Sequence, residues 1–234
     1  MNVSRIRSDV VYERSFREPV FTLGKSAAEI LGAFYKALSP EFRLAMSDLT
    51  VPPANTMGDL SIRASLFNGN GILEVNVDRF SARFFNLQSD EDIEIVKSVM
   101  RLSEISLTDT IKEIVYSDTI IRTSSWIEFE DTDDAAKKIL AKYSKPRVDI
   151  DHVSLGAEEI NHSIRSSVYN GSAGWAINFG LEISELPGYH IYFLCNAAYA
   201  ENGAVVGFDA VTGHFEDIHR RLLESYEFYP ASKS

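Results

Sequence analysis

The histidines are the first candidates for chemistry, because imidazole titrates near neutral pH and is a common metal ligand. All five histidines follow residue 151: His152, His162, His190, His214 and His219. Three carboxylates, Asp151, Asp209 and Glu216, lie near them in the sequence. His214 and His219 are five residues apart, which rotates them by about 140° on an α-helix. They cannot share a helix face as the ligands of an H-E-x-x-H site do. The spacing predicts no histidine metal site, and no cofactor is expected.

A second candidate lies on a predicted strand over residues 189–199, where alternation separates two faces. His190, Tyr192 and Asn196 share one face and would project from it in a row. Such a row could line a small-molecule pocket, or it could face solvent or a partner. These three residues are the candidate ligand-binding site.

The single cysteine, Cys195, falls on the opposite and more apolar face of the same strand. A buried thiol is usually inert, because a reactive cysteine needs a lowered pKa and access to solvent. One cysteine also excludes an internal disulfide and a cysteine-cluster metal site within one chain. No catalytic residue is predicted, and the chain is interpreted as a non-enzyme more readily than as an enzyme.

Two other patterns resemble catalytic or binding motifs but are more simply explained as ordinary structural features. Glu74 and Asp78 share a predicted strand face, as in a paired-carboxylate hydrolase. Acidic residues are, however, common on the wet face of a half-buried strand. The glycine-rich run at 170–174 lies between apparent strands and lacks the lysine and helix start of a phosphate loop. It is predicted to be a hairpin turn.

The elements that would position these residues centre on residues 59–116. Two alternating strands joined by an Asn-Gly turn at 68–71 predict a hairpin. The apolar residues then move from odd-numbered to even-numbered positions, which predicts a bulge or corner near Asp78 and Arg79. A long helix is predicted over about 90–116, with Ser89 as its cap and acidic residues in its first turn. Its two apolar stripes imply burial against more than one surface.

The flanking patterns supply the remaining elements. A strand at 10–23 is predicted to lie at a sheet edge, because Pro19 cannot donate to a ladder. A capping box at 26–29 predicts a helix that ends at Ser39 and Pro40. A strand at 119–130 and a short helix ending by Ser144 come next. Further strands are predicted at 148–159, 164–169, 174–183, 189–199 and 204–208, and a final helix at 213–226.

Together these elements predict an α+β fold with mainly antiparallel sheets, each covered by helices. Antiparallel order is favoured because tight turns join several consecutive strands. The best boundary, at 144–147, divides the chain into strand-rich halves at 1–146 and 147–234. These are either two units or one continuous domain.

Charge and composition limit the class of protein. The chain has 234 residues, 45% of them hydrophobic, and a net charge of −11. No run approaches the ~20 apolar residues of a membrane helix, and no signal-peptide core is present, so a cytoplasmic location and no membrane contact are expected. No lysine or arginine lies between Arg165 and Arg220, and acidic residues interleave with the N-terminal arginines. No nucleic-acid binding is therefore predicted.

The function expected from these features is that of a non-catalytic cytoplasmic module for protein interaction, accessory or chaperone-like, which also forms homo-oligomers. The support is the double-striped helix, which has more apolar surface than a modest sheet needs, together with strands that could leave open edges. The protein partner is not identified by the sequence. The alternative is a small-molecule-binding protein or enzyme with a pocket around His190, Tyr192 and Asn196.

Overall fold

The computed structural model describes residues 2–130, 135–143 and 163–230. Short 3₁₀ turns join some of the elements. In chain order the strands and helices are β1 (Asn2–Phe16), α1 (Leu23–Phe42), β2 (Leu49–Thr50), β3 (Ser61–Leu66), β4 (Gly71–Asn76), β5 (Arg79–Leu87), α2 (Asp90–Thr110), β6 (Tyr116–Phe129), α3 (Ala135–Tyr143), β7 (Ile164–Asn170), β8 (Trp175–Ile183), β9 (Ile191–Ala200), α4 (Phe208–Ser225) and β10 (Tyr229–Pro230).

The strands form one sheet in the order β2-β3-β4-β5-β1-β6-β9-β8-β7, with antiparallel neighbours, and β10 pairs in parallel with the start of β1. The α+β class is confirmed. Strands from both sides of the predicted boundary belong to this sheet, because β6 pairs with β9 along residues 118–127 and 191–200. The predicted joint at 144–147 and the whole of the predicted strand at 148–159 lie outside the described residues.

The helices cover one face of the sheet. Tyr12 of β1 contacts both α2, through Glu104, and α4, through an edge-on ring contact with Phe208. Phe193 of β9 packs on His219 of α4. Alternate strand residues point into this apolar core, and the intervening residues form the opposite side, called here the open face. Within the described residues no helix lies on the open face.

The central hairpin is confirmed, and its parity change is explained by a second tight turn. β3 pairs with β4 in the expected alternation, and Phe67 and Asn68 adopt positive φ in the turn between them. β4 ends at Asn76, whose side-chain oxygen accepts hydrogen bonds from the backbone N–H groups of Asp78 and Arg79. The chain therefore reverses into β5 there, and the apolar alternation restarts in the new strand.

The long helix begins as predicted but is shorter. The Ser89 hydroxyl oxygen accepts a hydrogen bond from the Asp92 backbone N–H, and the Asp92 carboxylate accepts one from the Ser89 backbone N–H. The helix ends at Thr110, not near 116, because Ile111 is extended and β6 begins at Tyr116. Thr108 and Thr110 bond to carbonyls four residues earlier, a side-chain competition that weakens helices. The two apolar stripes are used within the fold, against α1 and against β5.

The predictions for the N-terminal region need two corrections. The first strand is not an edge strand, because β1 is paired with β5 and β6 on its two sides. It ends at Phe16, so Pro19 lies beyond it and removes no ladder hydrogen bond. The first helix does not stop at Pro40, which lies inside α1. It ends with Arg43 in the left-handed conformation that commonly closes helices.

The C-terminal region needs one correction. No strand forms at 204–208; residues 204–207 belong to the loop before α4, and α4 starts at Phe208 and not at 213. The Ala204 N–H donates to the Ala173 carbonyl, so this loop is tied to the turn between β7 and β8. Gly207 then precedes the helix with a φ of 82°, a conformation that a residue without a Cβ adopts without strain.

Candidate functional site

The candidate site is a depression in the open face where β7, β8 and β9 lie side by side. Cross-strand pairing aligns Asn196 of β9 with Asn178 of β8, and Asn178 with Ser167 of β7. Three polar side chains of neighbouring strands therefore occupy one row on the open face. The depression has a volume of about 430 Å³, within the range of small-ligand sites.

The walls of the depression combine apolar and charged groups. Tyr192 and Leu194 of β9 are half-buried and line it. Gly180 of β8 pairs with Leu194 and is buried, because the Ile164 carbonyl and the Arg165 side chain of β7 lie close to it. At the rim, Arg165 donates to Glu182 at 2.8 Å. The site is open to solvent and has no unpaired charge among these groups.

Two of the three predicted site residues, Tyr192 and Asn196, lie together in this depression. The Tyr192 hydroxyl donates to Ser124 at 3.0 Å, and its ring lies 5.4 Å from the Trp126 ring. The Arg7 guanidinium in turn lies over the Trp126 ring, 5.3 Å from the ring centroid. These contacts hold the Tyr192 ring in one position at the side of the site.

His190 is placed apart from the depression. It precedes β9, and its Nδ1 accepts a hydrogen bond of 3.0 Å from the Phe129 backbone N–H. Its ring stacks on the Phe129 ring with centroids 5.9 Å apart. The structure therefore does not bring His190 together with Tyr192 and Asn196. Instead, His190 connects the end of β6 to the turn before β9 through its hydrogen bond with Phe129.

Asn196 carries an unsatisfied acceptor. Its Oδ1 is buried and has no hydrogen-bond partner. Arg122, its cross-strand neighbour on β6, donates nothing to it. A buried acceptor without a donor costs about 1–3 kcal/mol, so this oxygen is a destabilising feature of the folded chain.

No local motif distinguishes Arg165, Ser167 or Asn178 as site residues. The alternation of residues 164–170 and 174–183 does place each of them on one strand face, which is a usable signal. Their grouping depends on which strands are neighbours and in what register. That information is not local to any of the strands.

The remaining histidines are not gathered into one centre. His214 lies on α4, where its Nδ1 is 3.1 Å from the Tyr199 hydroxyl. His219 lies between the Phe193 and Phe215 rings, and its Nε2 is buried without a partner. His152 and His162 lie outside the described residues. Within the described part of the chain, no three His, Cys, Asp or Glu side chains are grouped so that they could hold a metal ion.

The environment of His219 predicts sensitivity to acid. Burial lowers the pKa of His219 to about 4 from 6.5. Because the folded-state pKa is the lower one, the associated stability is complete above pH 6.5 and is lost as the pH falls toward 4. At pH 4 the wild type should have lost about 3 kcal/mol of its free energy of unfolding through this group, and His219→Phe should not show that loss.

The measurement is urea unfolding of both proteins from pH 7.5 to pH 4. His214→Phe is the comparison on the same helix: burial also lowers the pKa of His214, so this variant should change the pH dependence in the same direction but by less than His219→Phe. Parallel stability curves for wild type and His219→Phe would contradict the assignment.

Cys195 lies in the core, as its strand face indicated. It is fully buried, and burial raises the pKa of its thiol to about 12. The thiol is therefore protonated at neutral pH, the state in which it is a poor nucleophile. Glu74 and Asp78 do not form a carboxylate pair on one strand face. Glu74 pairs with Arg63 at 2.8 Å, whereas Asp78 is exposed in a turn.

A buried charge cluster under α2 was missed by the sequence analysis. The Arg14 guanidinium, 6% exposed, is paired with Glu104 of α2 and with Glu201 after β9. Tyr12 donates to Glu104 at 2.7 Å, and Tyr116 lies with its ring 3.6 Å from the Arg14 guanidinium carbon. Burial, followed by the charge of Glu104, raises the Tyr12 pKa. The signal was present: Arg14 occupies a core position in the alternation of Val10, Tyr12 and Phe16.

The outer edge of β7 is the second candidate functional surface. Residues 165–170 are all exposed, with Val168 at 42% and Tyr169 at 80%. β7 pairs with β8 on one side only, and no other described strand pairs with it. At the opposite end of the sheet, β2 has only two residues and is followed closely by Pro52 and Pro53. The two sheet edges therefore differ in how accessible they are.

Comparisons with known proteins assign no family. No family model matches the chain, and no curated protein matches it. Among solved structures, it aligns with the crystal structure of an unknown protein from Galdieria sulphuraria, at 9% identity over 95% of this chain and 94% of that one. The TM-score of that alignment is 0.15, so it supports no argument about fold or function. In the described residues, no helix is long and apolar enough to cross a membrane.

Proposed function

We propose that this protein is a non-catalytic interaction module that associates with a second copy of itself through the outer edge of β7. The observation that carries the proposal is the exposure of this seven-residue edge strand. The backbone N–H and C=O groups along its outer edge, which pair with no other described strand, can each find a partner when another strand is added. Natural edges are usually protected by lysine, proline or a very short strand. β2 has such protection, whereas β7 contains neither lysine nor proline.

The residue order of β7 favours a second copy as the occupant. A two-fold antiparallel pairing centred on Ser167 sets Arg165 opposite Tyr169 of the second copy, and Ser166 opposite its Val168. Each copy then supplies the ring for the other's guanidinium, an attractive cross-strand contact. Like charges do not face each other in this register. The same patch on both copies forms the interface, as two-fold symmetry requires.

Light scattering after size-exclusion chromatography tests this proposal. We expect the wild type to have the mass of a dimer. Val168→Lys places a charge on the edge and should weaken dimerisation by at least about tenfold. Val206→Lys is the matched control, because Val206 is 43% exposed in a loop and has almost the same exposure as Val168. A monomeric wild type, or equal masses for Val168→Lys and Val206→Lys, would contradict the proposal.

The accessory or chaperone-like role and the cytoplasmic location remain part of this proposal. The double-striped helix no longer supports an interaction surface, because α1 and the sheet cover its stripes. A strand from another protein would use the same β7 edge and would compete with the second copy. Recovery of another protein with the wild type but not with Val168→Lys would show that the edge has a heterologous partner.

The second candidate function is small-molecule binding in the depression on the open face. One specific observation favours it: a depression of about 430 Å³ is lined by the half-buried Tyr192 ring and by the carboxamide residues Asn178 and Asn196. This function does not need the β7 edge, since the ligand would contact side chains that project from the sheet. The two functions are therefore compatible and separable by mutation.

A further inference from the structure

We infer that α4 is a cover that opens by itself in acid, uncovering the apolar core face of β9 while β1 and β6 stay folded. The acid sensitivity of His219 then belongs to one helix and not to the whole chain. Neither function proposed above is needed for this opening. Three features lead to it: the histidines beneath α4, the ion pairs that hold the helix, and the strand face that it covers.

Two histidines lie on the side of α4 that contacts the sheet. His219 lies between the rings of Phe193 on β9 and Phe215 on α4, and its Nε2 is buried without a hydrogen-bond partner. His214 contacts the Tyr199 hydroxyl of β9 at 3.1 Å. A proton on either imidazole adds a charge to an interface made of aromatic rings, and burying such a charge is unfavourable.

Protonation of His219 favours the state in which α4 has left the sheet. Burial lowers the pKa of His219 to about 4 from 6.5, and no neighbouring carboxylate opposes this. When the helix opens, the imidazole is hydrated and binds a proton at its ordinary pKa. Each pH unit between the two values therefore shifts the equilibrium about tenfold toward the open helix. Burial also lowers the pKa of His214, opposed by the charge of Asp217.

The ion pairs of α4 weaken in the same direction. Within the described residues, three pairs join α4 or the residues just after it to other helices: Arg101 with Asp209, Lys97 with Glu216 and Lys142 with Glu227. In each pair the carboxylate belongs to the α4 side, and protonating it removes the pair. These carboxylates are well exposed, so the pairs stabilise little. By contrast, β1 is paired with β5 and β6 along most of its length.

Cys195 reports this opening. Its side chain lies between those of Phe193 and Tyr199 on one face of β9, and α4 contacts both of these residues, through His219 and His214. The helix therefore crosses the strand over Cys195, whose exposed fraction is 0%. Cys195 is the single cysteine of the chain, so a thiol reagent reads this position without an engineered label.

Labelling of Cys195 by a dipyridyl disulfide from pH 7.5 to pH 4.5 tests the inference. The rate at each pH is divided by the rate for the urea-unfolded protein, which removes the pH dependence of the reagent. Hydrogen exchange of the β1 and β6 amides in the same samples reports on the sheet. The variants are His219→Phe, which removes the buried imidazole, and Arg101→Ala, which removes one ion pair to α4. Lys112→Ala is the control, because Lys112 pairs with Asp109 and not with α4.

We expect the normalised labelling rate of the wild type to rise on the order of 50-fold between pH 7.5 and pH 4.5, as the two pKa values of His219 require. The β1 and β6 amides should stay protected. His219→Phe should lose most of the rise. Arg101→Ala should label up to about fivefold faster at pH 7.5 with an unchanged pH profile, whereas Lys112→Ala should match the wild type.

Three results would overturn the inference. A flat labelling profile would show that α4 stays closed in acid. Loss of β1 and β6 protection in step with labelling would show that the chain unfolds as a whole. An undiminished rise in His219→Phe would show that the buried imidazole does not control the helix.

Discussion

Replacing Arg14 with alanine is expected to lower the free energy of unfolding by about 3–5 kcal/mol. The guanidinium is paired with Glu104 and Glu201, whose side chains are 13% and 20% exposed. Removing it leaves two carboxylates close together in a poorly hydrated site, without their shared cation. It also removes the contact to the Tyr116 ring. Urea unfolding monitored by circular dichroism at pH 7 measures the change.

Arg63→Ala is the matched control, because Arg63 on β3 also pairs with a glutamate but is 49% exposed. Exposed pairs contribute about 0–1 kcal/mol, so this variant should be close to the wild type. The acidic neighbours give a further test: Glu104→Gln combined with Arg14→Met should recover part of the loss, since fewer charges are then buried unpaired. Equal losses from Arg14→Ala and Arg63→Ala would show that the buried cluster has no special role.

Replacing Gly203 with alanine is expected to destabilise the fold by about 2–3 kcal/mol. A Cβ at this position would lie 2.5 Å from the Ala173 carbonyl oxygen and 3.1 Å from the Gly174 Cα. Both are backbone atoms, so a change of rotamer cannot relieve the contact. The two turns that meet here close the ends of β8 and β9, the strands that form most of the depression. Thermal and urea unfolding would measure the loss.

Gly171→Ala is the control for this substitution. Gly171 lies in the same pair of turns, but nothing lies within 4 Å of its added Cβ. We expect a change within about 0.5 kcal/mol, because loss of chain entropy in the unfolded state offsets any small cost in the turn. A Gly203→Ala variant as stable as Gly171→Ala would mean that the two turns do not pack as closely as described.

The parts of the fold that local pattern determines were predictable. Alternation identified the strands around Ile62, Leu73 and Cys195, and the Ser89 cap identified the start of α2. The errors occurred where distant contacts decide. β1 lies at the centre of the sheet because β5 and β6, far along the chain, pair with its two sides. Nothing near Pro19 contains that information.

The candidate site divides in the same way. Tyr192 and Asn196 were found because period-two spacing places them on one face of a strand. His190 has the same spacing, but the strand starts after it and its ring turns to Phe129. Arg14 could have been recognised as a charge at a core position. Its partners Glu104 and Glu201 could not, because they come from a helix and a loop that meet only in the folded chain.

Hydrogen exchange of the β7 amides at low and high protein concentration tests the central claim most directly. We predict that the amides on the outer edge of β7 exchange rapidly when the protein is dilute and become protected as it is concentrated, while amides of the β2 edge do not change. Protection should be lost in Val168→Lys and kept in Val206→Lys. Rapid exchange along the outer edge of β7 at every concentration would contradict the account.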